Sequence, residues 1–246
     1  PEGRRALTLP KVVFAISVRS VLNLGVEQLV IDSPTLDIRR TISGEWRVAG
    51  LALKKENSPD SAAADWVFSQ KEILVQNGSV MWTDEFNPLQ KEKAALSLSQ
   101  VSWVLRNTAR HHLWRLDATP PNGWGAPFTL MGDLRRGLLS THAGRAKDWS
   151  GQLHAAFSDV DLSQLGPYLP WKINATKGQG ALRVWVDLKL GDIQQATADL
   201  VLENAKAQLS PELEALSFKH IAGRVSVKAK PHGFDFSTEG LRFDTA

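Results

Sequence analysis

The side chains that most often carry catalysis or bind metals form no consistent site in this sequence. Among the six histidines, His111 and His112 are adjacent, so their side chains would point to opposite faces of a strand. Asp159 and Asp161 have the spacing of a carboxylate pair that binds Ca²⁺ or transfers protons, but a strand end followed by a helix cap before Leu162 is the favoured explanation. We therefore predict no catalytic residue and no metal site.

Cofactor and nucleic-acid binding are disfavoured on similar grounds. The stretch Gly178-x-Gly180 begins like a dinucleotide-binding fingerprint, but Arg183 occupies the third glycine position and the following pattern is that of a strand. The chain has no cysteine, which excludes disulfides and cysteine-based metal sites. Its net charge of +3 comes from scattered basic residues, whereas nucleic-acid binding requires a clustered stripe. The sequence predicts no enzymatic activity, no cofactor and no nucleic-acid partner.

The clearest periodic pattern lies in residues 180–209. Aliphatic side chains fall at every second position with polar ones between them, which is the period of a strand with one apolar face. Gly191-Asp192 interrupts the alternation with turn residues, which favours an antiparallel hairpin. The residues predicted to share the apolar face are Leu182, Val184, Val186, Leu188, Leu190, Ala198, Leu200 and Leu202.

The remainder of the chain repeats this pattern in shorter runs. Strand-like segments separated by glycine- and proline-containing turns, with few and short helices, predict a mainly β, antiparallel protein. Residues 54–64 form a polar linker, and Ser61 is placed to cap a short helix over residues 62–71. The absence of an initiator methionine and an ending inside a strand pattern suggest that residues 1–246 are one continuous segment of a longer protein.

An internal repeat supports a repeating β unit. Three aliphatic residues, a bend and alternating apolar residues occur at residues 29–38, again 44 positions later at residues 73–82, and a third time at residues 200–209. The bend is Ser33-Pro34 in the first copy and Asn77-Gly78 in the second, and the latter dipeptide predicts a hairpin turn.

Several stretches together resemble the AsmA-like family, in particular its YhdP-type branch. The ordered series carries the resemblance, and no single motif is diagnostic. The stretches include RTISGEWRVAGL, ILVQNGSVMWTDE and RHHLWRLDATPPNGWGAPFTLMGDL, followed by WSGQLHAAFSDVDLSQL and GQGALRVWVDLKLGDIQQATADL. The family's N-terminal transmembrane helix and long C-terminal continuation are not among them.

The resemblance implies a bacterial envelope protein that is anchored in the inner membrane and reaches across the periplasm. Members are regarded as bridge-like carriers in which a long, curved β-sheet forms a hydrophobic groove for phospholipid acyl chains. Exposing two acyl chains to water costs on the order of 20 kcal/mol at about 0.8 kcal/mol per CH₂. An aliphatic strip that continues from strand to strand would replace the bilayer interior, and no reactive side chain would be required.

Two alternatives remain open from the residues alone. The same aliphatic faces could pack on each other in a closed β-sandwich, which would make the protein a structural module of the cell envelope. An enzyme with an unfamiliar site is the other possibility. A period-two pattern does not distinguish a closed core from an open groove, so the lining role of the eight aliphatic residues is a hypothesis.

Overall fold

The structure, a computed structural model, describes residues 6–16, 26–53, 61–86, 95–165, 174–208 and 214–245. Most of these residues lie in strands, as the alternating sequence predicts. Two short helices, α1 (Ser61–Ser69) and α2 (Leu162–Leu165), and one 3₁₀ turn (Ala146–Asp148) accompany them. Part of the predicted polar linker, residues 54–60, lies outside the described residues, and α1 begins at the predicted cap, Ser61.

The described strands all belong to a single fifteen-stranded sheet. The first six are short: β1 (Leu7–Thr8), β2 (Lys11–Ala15), β3 (Gln28–Asp32), β4 (Thr35–Arg40), β5 (Trp46–Val48) and β6 (Leu51–Leu53). The next five are β7 (Glu72–Asp84), β8 (Leu96–Asn107), β9 (His111–Thr119), β10 (Phe128–Arg136) and β11 (Trp149–Asp161). The last four are β12 (Asn174–Lys189), β13 (Asp192–Gln208), β14 (Leu216–Lys230) and β15 (Gly233–Thr245).

The order of the sheet follows the order of the chain from β7 to β15. Each strand in this part pairs antiparallel with the next, so nine strands form an up-and-down meander. A long, mainly β sheet with few helices is therefore confirmed. The predicted hairpin of residues 180–209 is the β12–β13 pair.

The sheet is mixed at its N-terminal end. The far side of β7 is shared by β3 and β4, and both of them run parallel to it. The registers pair Leu29 with Ile73 and Leu36 with Val80, which is the same offset of 44 residues that separates the first two copies of the sequence repeat. The two copies thus lie side by side, and Lys71 pairs with Glu27 at 2.6 Å across the same offset.

The bends of the three repeats are sites of left-handed backbone. Ser33, Asn77 and Asn204 have φ angles of 56°, 52° and 49°. At Asn77 the register shifts against β8 and at Asn204 it shifts against β12, and each strand continues, which is the behaviour of a β-bulge. The predicted hairpin at Asn77-Gly78 is therefore wrong: residues 72–84 form one strand, because β8 pairs with the chain on both sides of the bulge.

Candidate functional site

One face of the sheet carries three parallel rows of apolar side chains, which we call the apolar face. Register places the members of a row directly opposite one another on successive strands. The middle row comprises Val12, Ile31, Val75, Trp103, Leu116, Leu130, Ala155, Val184, Ala198 and Val225. Because neighbouring strands lie about 4.8 Å apart, this row of ten strands extends for about 43 Å.

The other two rows flank the middle row at a distance of two residues along each strand. One comprises Leu29, Ile73, Leu105, Trp114, Gly132, Leu153, Val186, Ala196 and Val227. The other comprises Ala118, Phe128, Phe157, Leu182, Leu200 and Gly223, and in it the rings of Phe128 and Phe157 stack with centroids 5.3 Å apart. None of the three rows contains a charged residue.

Seven of the eight predicted residues lie in β12 and β13. Direct pairing joins Leu182 to Leu200 and Val184 to Ala198, and all seven project from the apolar face. Leu202, which pairs with Gly180, is buried, whereas most of the others are partly exposed. Leu190 differs, because it lies in the turn between the strands at a φ of 51° with 58% of its surface exposed.

Sequence reasoning missed the part of the apolar face that lies on β7 to β11 and on β14. Trp103, Leu116, Leu130 and Ala155 occupy the middle of the face, and each is partly exposed. The signal was present in the sequence, because each of these strands alternates in the same way as β12. What the sequence did not provide was the register that aligns the apolar positions into rows.

The middle of the apolar face is not covered by another sheet, because all fifteen described strands belong to the same one. Every member of the middle row retains part of its solvent exposure. A closed β-sandwich would require a second sheet packed about 10 Å above these residues. The described strands therefore provide no second sheet that closes over the apolar face.

The opposite face of the sheet is mainly polar, although Val30, Leu74, Val104 and Met131 lie on it, and it is stabilised by pairs between neighbouring strands. Arg224 donates hydrogen bonds of 2.6 and 2.9 Å to the two carboxylate oxygens of Asp199, and this pairing lowers the pKa of Asp199 below its ordinary value. Arg106 and Gln28 lower the pKa of Glu72 in the same way. The two faces thus differ sharply, with salt bridges on one and aliphatic rows on the other.

Trp185 lies on the polar face, in the middle of β12. Its ring packs 5.2 Å from the ring of His154 on β11, and the guanidinium of Arg224 lies 6.0 Å from its centroid. The indole is thus stabilised by neighbours on the same face, and its position leaves the apolar face purely aliphatic along β12.

One long side of the apolar face is closed by α1, and we call this side the helix rim. Val67 and Phe68 of α1 pack against the buried cluster of Leu29, Ile73 and Leu105. Phe68 also makes an edge contact with Trp149, with ring centroids 4.6 Å apart. The helix therefore packs at the ends of the strands, beside the row that contains Leu29, Ile73 and Leu105.

A buried hydrogen-bonded chain fixes α1 to the sheet. The side chain of Asn107 donates to the carbonyl of Gln70 at 2.7 Å, so its oxygen faces the Nδ1 of His112 at 2.7 Å and accepts the proton there. The Nε2 of His112 is buried without a hydrogen-bond partner. Burial, with repulsion from Arg136 and His111, lowers the pKa of His112 to about 4, so the imidazole is neutral at physiological pH.

The opposite side of the apolar face, the loop rim, is closed by residues 120–127 and by α2. The N–H of Asp161 donates to the carbonyl of Trp124 at 3.0 Å, which binds the loop to the end of β11. The Asp161 carboxylate then caps α2 by accepting from the N–H of Ser163 at 2.9 Å, as one interpretation of the sequence predicted. Val160, Leu202 and Ala205 are buried along this rim.

The described residues provide no arrangement typical of a catalytic or metal site. No group of three or more histidine, aspartate and glutamate side chains is close enough to hold a metal ion in the described part of the chain. His111 forms a pair with Asp133 at 2.5 Å on the polar face. Within the same residues, no helix combines the length and hydrophobicity needed to cross a membrane.

Comparison with known proteins gives one match. A family model described as YhdP protein matches residues 1–246, the full length of the sequence. Searches of curated proteins and of solved structures gave no significant match.

Proposed function

Because this chain belongs to the YhdP protein family, we propose that it is a segment of a periplasm-spanning protein that carries phospholipids. In this proposal the apolar face shields the acyl chains during transport from the inner to the outer membrane. The full-length protein is anchored in the bacterial inner membrane by a transmembrane helix outside the present sequence. The lining includes Leu182, Val184, Val186, Leu188, Ala198, Leu200 and Leu202, whereas Leu190 lies in the turn at the edge of the face.

The observation that supports this proposal is the partly exposed middle row of the apolar face, over which the described strands place no second sheet. Its estimated length of about 43 Å exceeds the hydrocarbon depth of one leaflet, which is about 15 Å. Several acyl chains could therefore lie along it in succession. The rows offer contact without hydrogen bonds or charges, so a bound lipid gains burial of its CH₂ groups without being held at one place.

Small residues in the middle of the face provide room for acyl chains. Val184 is flanked by Ala155 on one neighbouring strand and by Ala198 on the other. In the row beside them, Gly132 is covered by the indole of Trp114, so that position contributes an aromatic surface instead. The width of the face is bounded by the two rims, which confine a bound chain to the direction across the strands.

The proposal requires no reactive group, and we assign none. The competing function, a structural module of the cell envelope, would use the same sheet without any lipid. The two functions differ in what the purified protein contains. They also differ in how the protein tolerates a charge on the apolar face.

Lipid analysis of purified protein tests the proposal. We expect detergent-free preparations to contain phospholipid at about one molecule or more per chain, because an empty apolar face would leave aliphatic rows in contact with water. Mass spectrometry of an organic extract, normalised to protein, measures this ratio. A preparation that is folded and free of lipid would favour the structural module.

A further inference from the structure

A loop at the helix rim combines exposed leucines with a high density of positive charge. This rim loop, residues 137–148, connects β10 to β11. Leu138 and Leu139 at its tip are 80% and 96% exposed, and they are the two most exposed of the large hydrophobic side chains that the structure describes. Neither contributes to the apolar face, so their exposure has no explanation in the proposed function.

A neighbouring turn adds further exposed apolar surface. The β12–β13 turn lies against the base of the rim loop, because the N–H of Gly191 donates to the carbonyl of Trp149 at 2.8 Å. Leu190 and Ile193, on either side of that glycine, are 58% and 57% exposed. Two separate turns thus present four exposed aliphatic side chains on the same rim.

Positive charge is concentrated in the rim loop taken together with the last two residues of β10. Residues 135–148 contain four basic residues, Arg135, Arg136, Arg145 and Lys147, and a single acidic one, Asp148. Asp148 is engaged within the loop, since it accepts from the hydroxyl of Ser140 at 2.5 Å and lies 4.0 Å from Arg145. This short segment therefore carries as much net charge as the whole chain, +3.

The base of the rim loop is fixed to α1. Asp65 accepts from the N–H of Gly144 at 2.7 Å and pairs with His142 at 2.8 Å. Burial raises the pKa of Asp65, but these two partners lower it more, so the carboxylate remains ionised near neutral pH. The exposed leucines are consequently presented from a rigid base.

We propose that the rim loop docks on the surface of an anionic lipid bilayer. Leu138 and Leu139 enter the headgroup region, and the surrounding basic side chains contact lipid phosphates. An apolar tip on a segment with a net charge of +3 matches both properties of such a surface, its accessible apolar boundary and its negative potential. This contact is separate from acyl-chain binding on the apolar face, so each can be lost without the other.

Vesicle co-sedimentation tests the proposal. We expect the purified protein to bind vesicles of phosphatidylglycerol and phosphatidylcholine at least tenfold more tightly than vesicles of phosphatidylcholine alone, at low salt. Leu138→Ser/Leu139→Ser should weaken binding to the anionic vesicles about tenfold. Arg145→Gln/Lys147→Gln should weaken it about twenty-five-fold, at roughly fivefold for each charge lost.

A matched control uses exposed aliphatic residues at the strand ends away from the helix rim. Ile42, which follows β4, and Leu216, which pairs with Ala207 near the loop rim, are 66% and 48% exposed, and Ile42→Ser/Leu216→Ser should leave binding unchanged. The proposal is overturned if the unaltered protein does not bind anionic vesicles, if it binds neutral ones equally, or if the leucine variant binds as well as the control. The proposal is also overturned if the rim loop binds a protein partner and that binding does not depend on lipid.

A second measurement locates the contact. Because the chain has no cysteine, Leu139→Cys and Ile42→Cys can each be labelled with an environment-sensitive fluorophore. Anionic vesicles should shift the emission of the label to the blue at position 139 and not at position 42. Equal shifts at both positions, or no shift at position 139, would contradict docking by the rim loop. The lipid content of the same preparations reports separately on the apolar face.

Discussion

Val186→Asp should lower the phospholipid content of the purified protein at least tenfold while the protein remains folded. Val186 is partly exposed on the apolar face between Leu153 and Ala196. A bound acyl chain would remove water from a carboxylate placed there. The free energy of this desolvation exceeds roughly 1.4 kcal/mol, which is enough to weaken lipid binding tenfold. In the absence of lipid the same carboxylate can reach water, so folding is affected less.

The matched control is Val201→Asp on the adjacent strand. Val201 projects from the polar face, pairs with Ala181, and is 49% exposed. This variant should retain both the fold and the lipid content. Circular dichroism and mass spectrometry of co-purified lipid measure the two properties. If Val186→Asp unfolds the protein, position 186 belongs to a closed core; if its lipid content equals that of the control, the apolar face does not bind acyl chains.

His112→Phe should remove part of the acid sensitivity of the protein. The pKa of His112 is about 4 in the folded protein and about 6.5 in an unfolded chain, so folding favours the neutral ring. The contribution of the neutral His112 ring to the free energy of unfolding is fully present above pH 6.5 and is lost as the pH falls through 4. Between pH 7 and pH 4 the loss amounts to about 3 kcal/mol in the free energy of unfolding.

Urea unfolding at several pH values measures this effect. His112→Phe keeps an aromatic ring beside Phe68 and Trp149 but loses the bond to Asn107, so we expect lower stability at pH 7 and a smaller decrease toward pH 4. His232→Phe, at an exposed position, should show the full decrease. An identical pH dependence in both variants would mean that His112 is not buried beneath α1.

The sequence predicts which face of a strand a side chain occupies better than it predicts which strands pair. Alternation alone placed Leu182 and Leu200 on one face, because side chains in a strand must point to opposite sides in turn. The repeat at 44 residues was also visible. That its copies lie side by side and parallel was not, because parallel pairing depends on contacts between distant segments and leaves no local signal.

Local turn chemistry was less reliable than the alternation. Asn77-Gly78 has the composition of a hairpin turn, yet Asn77 adopts its left-handed φ within a continuous strand, as a bulge residue would. Asparagine and glycine permit that conformation in either setting, so composition cannot distinguish them. Leu190 shows the same ambiguity, since its place in the alternation suggested a strand whereas it lies in the turn.

Site-specific photocrosslinking along β12 tests the central claim most directly. A photoreactive residue replaces one position at a time from 182 to 187 in living cells, and mass spectrometry identifies covalent phospholipid adducts. We predict adducts at Leu182, Val184 and Val186, which project from the apolar face, and none at Arg183, Trp185 and Asp187, which project from the polar face. Adducts without this alternation, or none at any of the six positions, would contradict lipid binding by the apolar face.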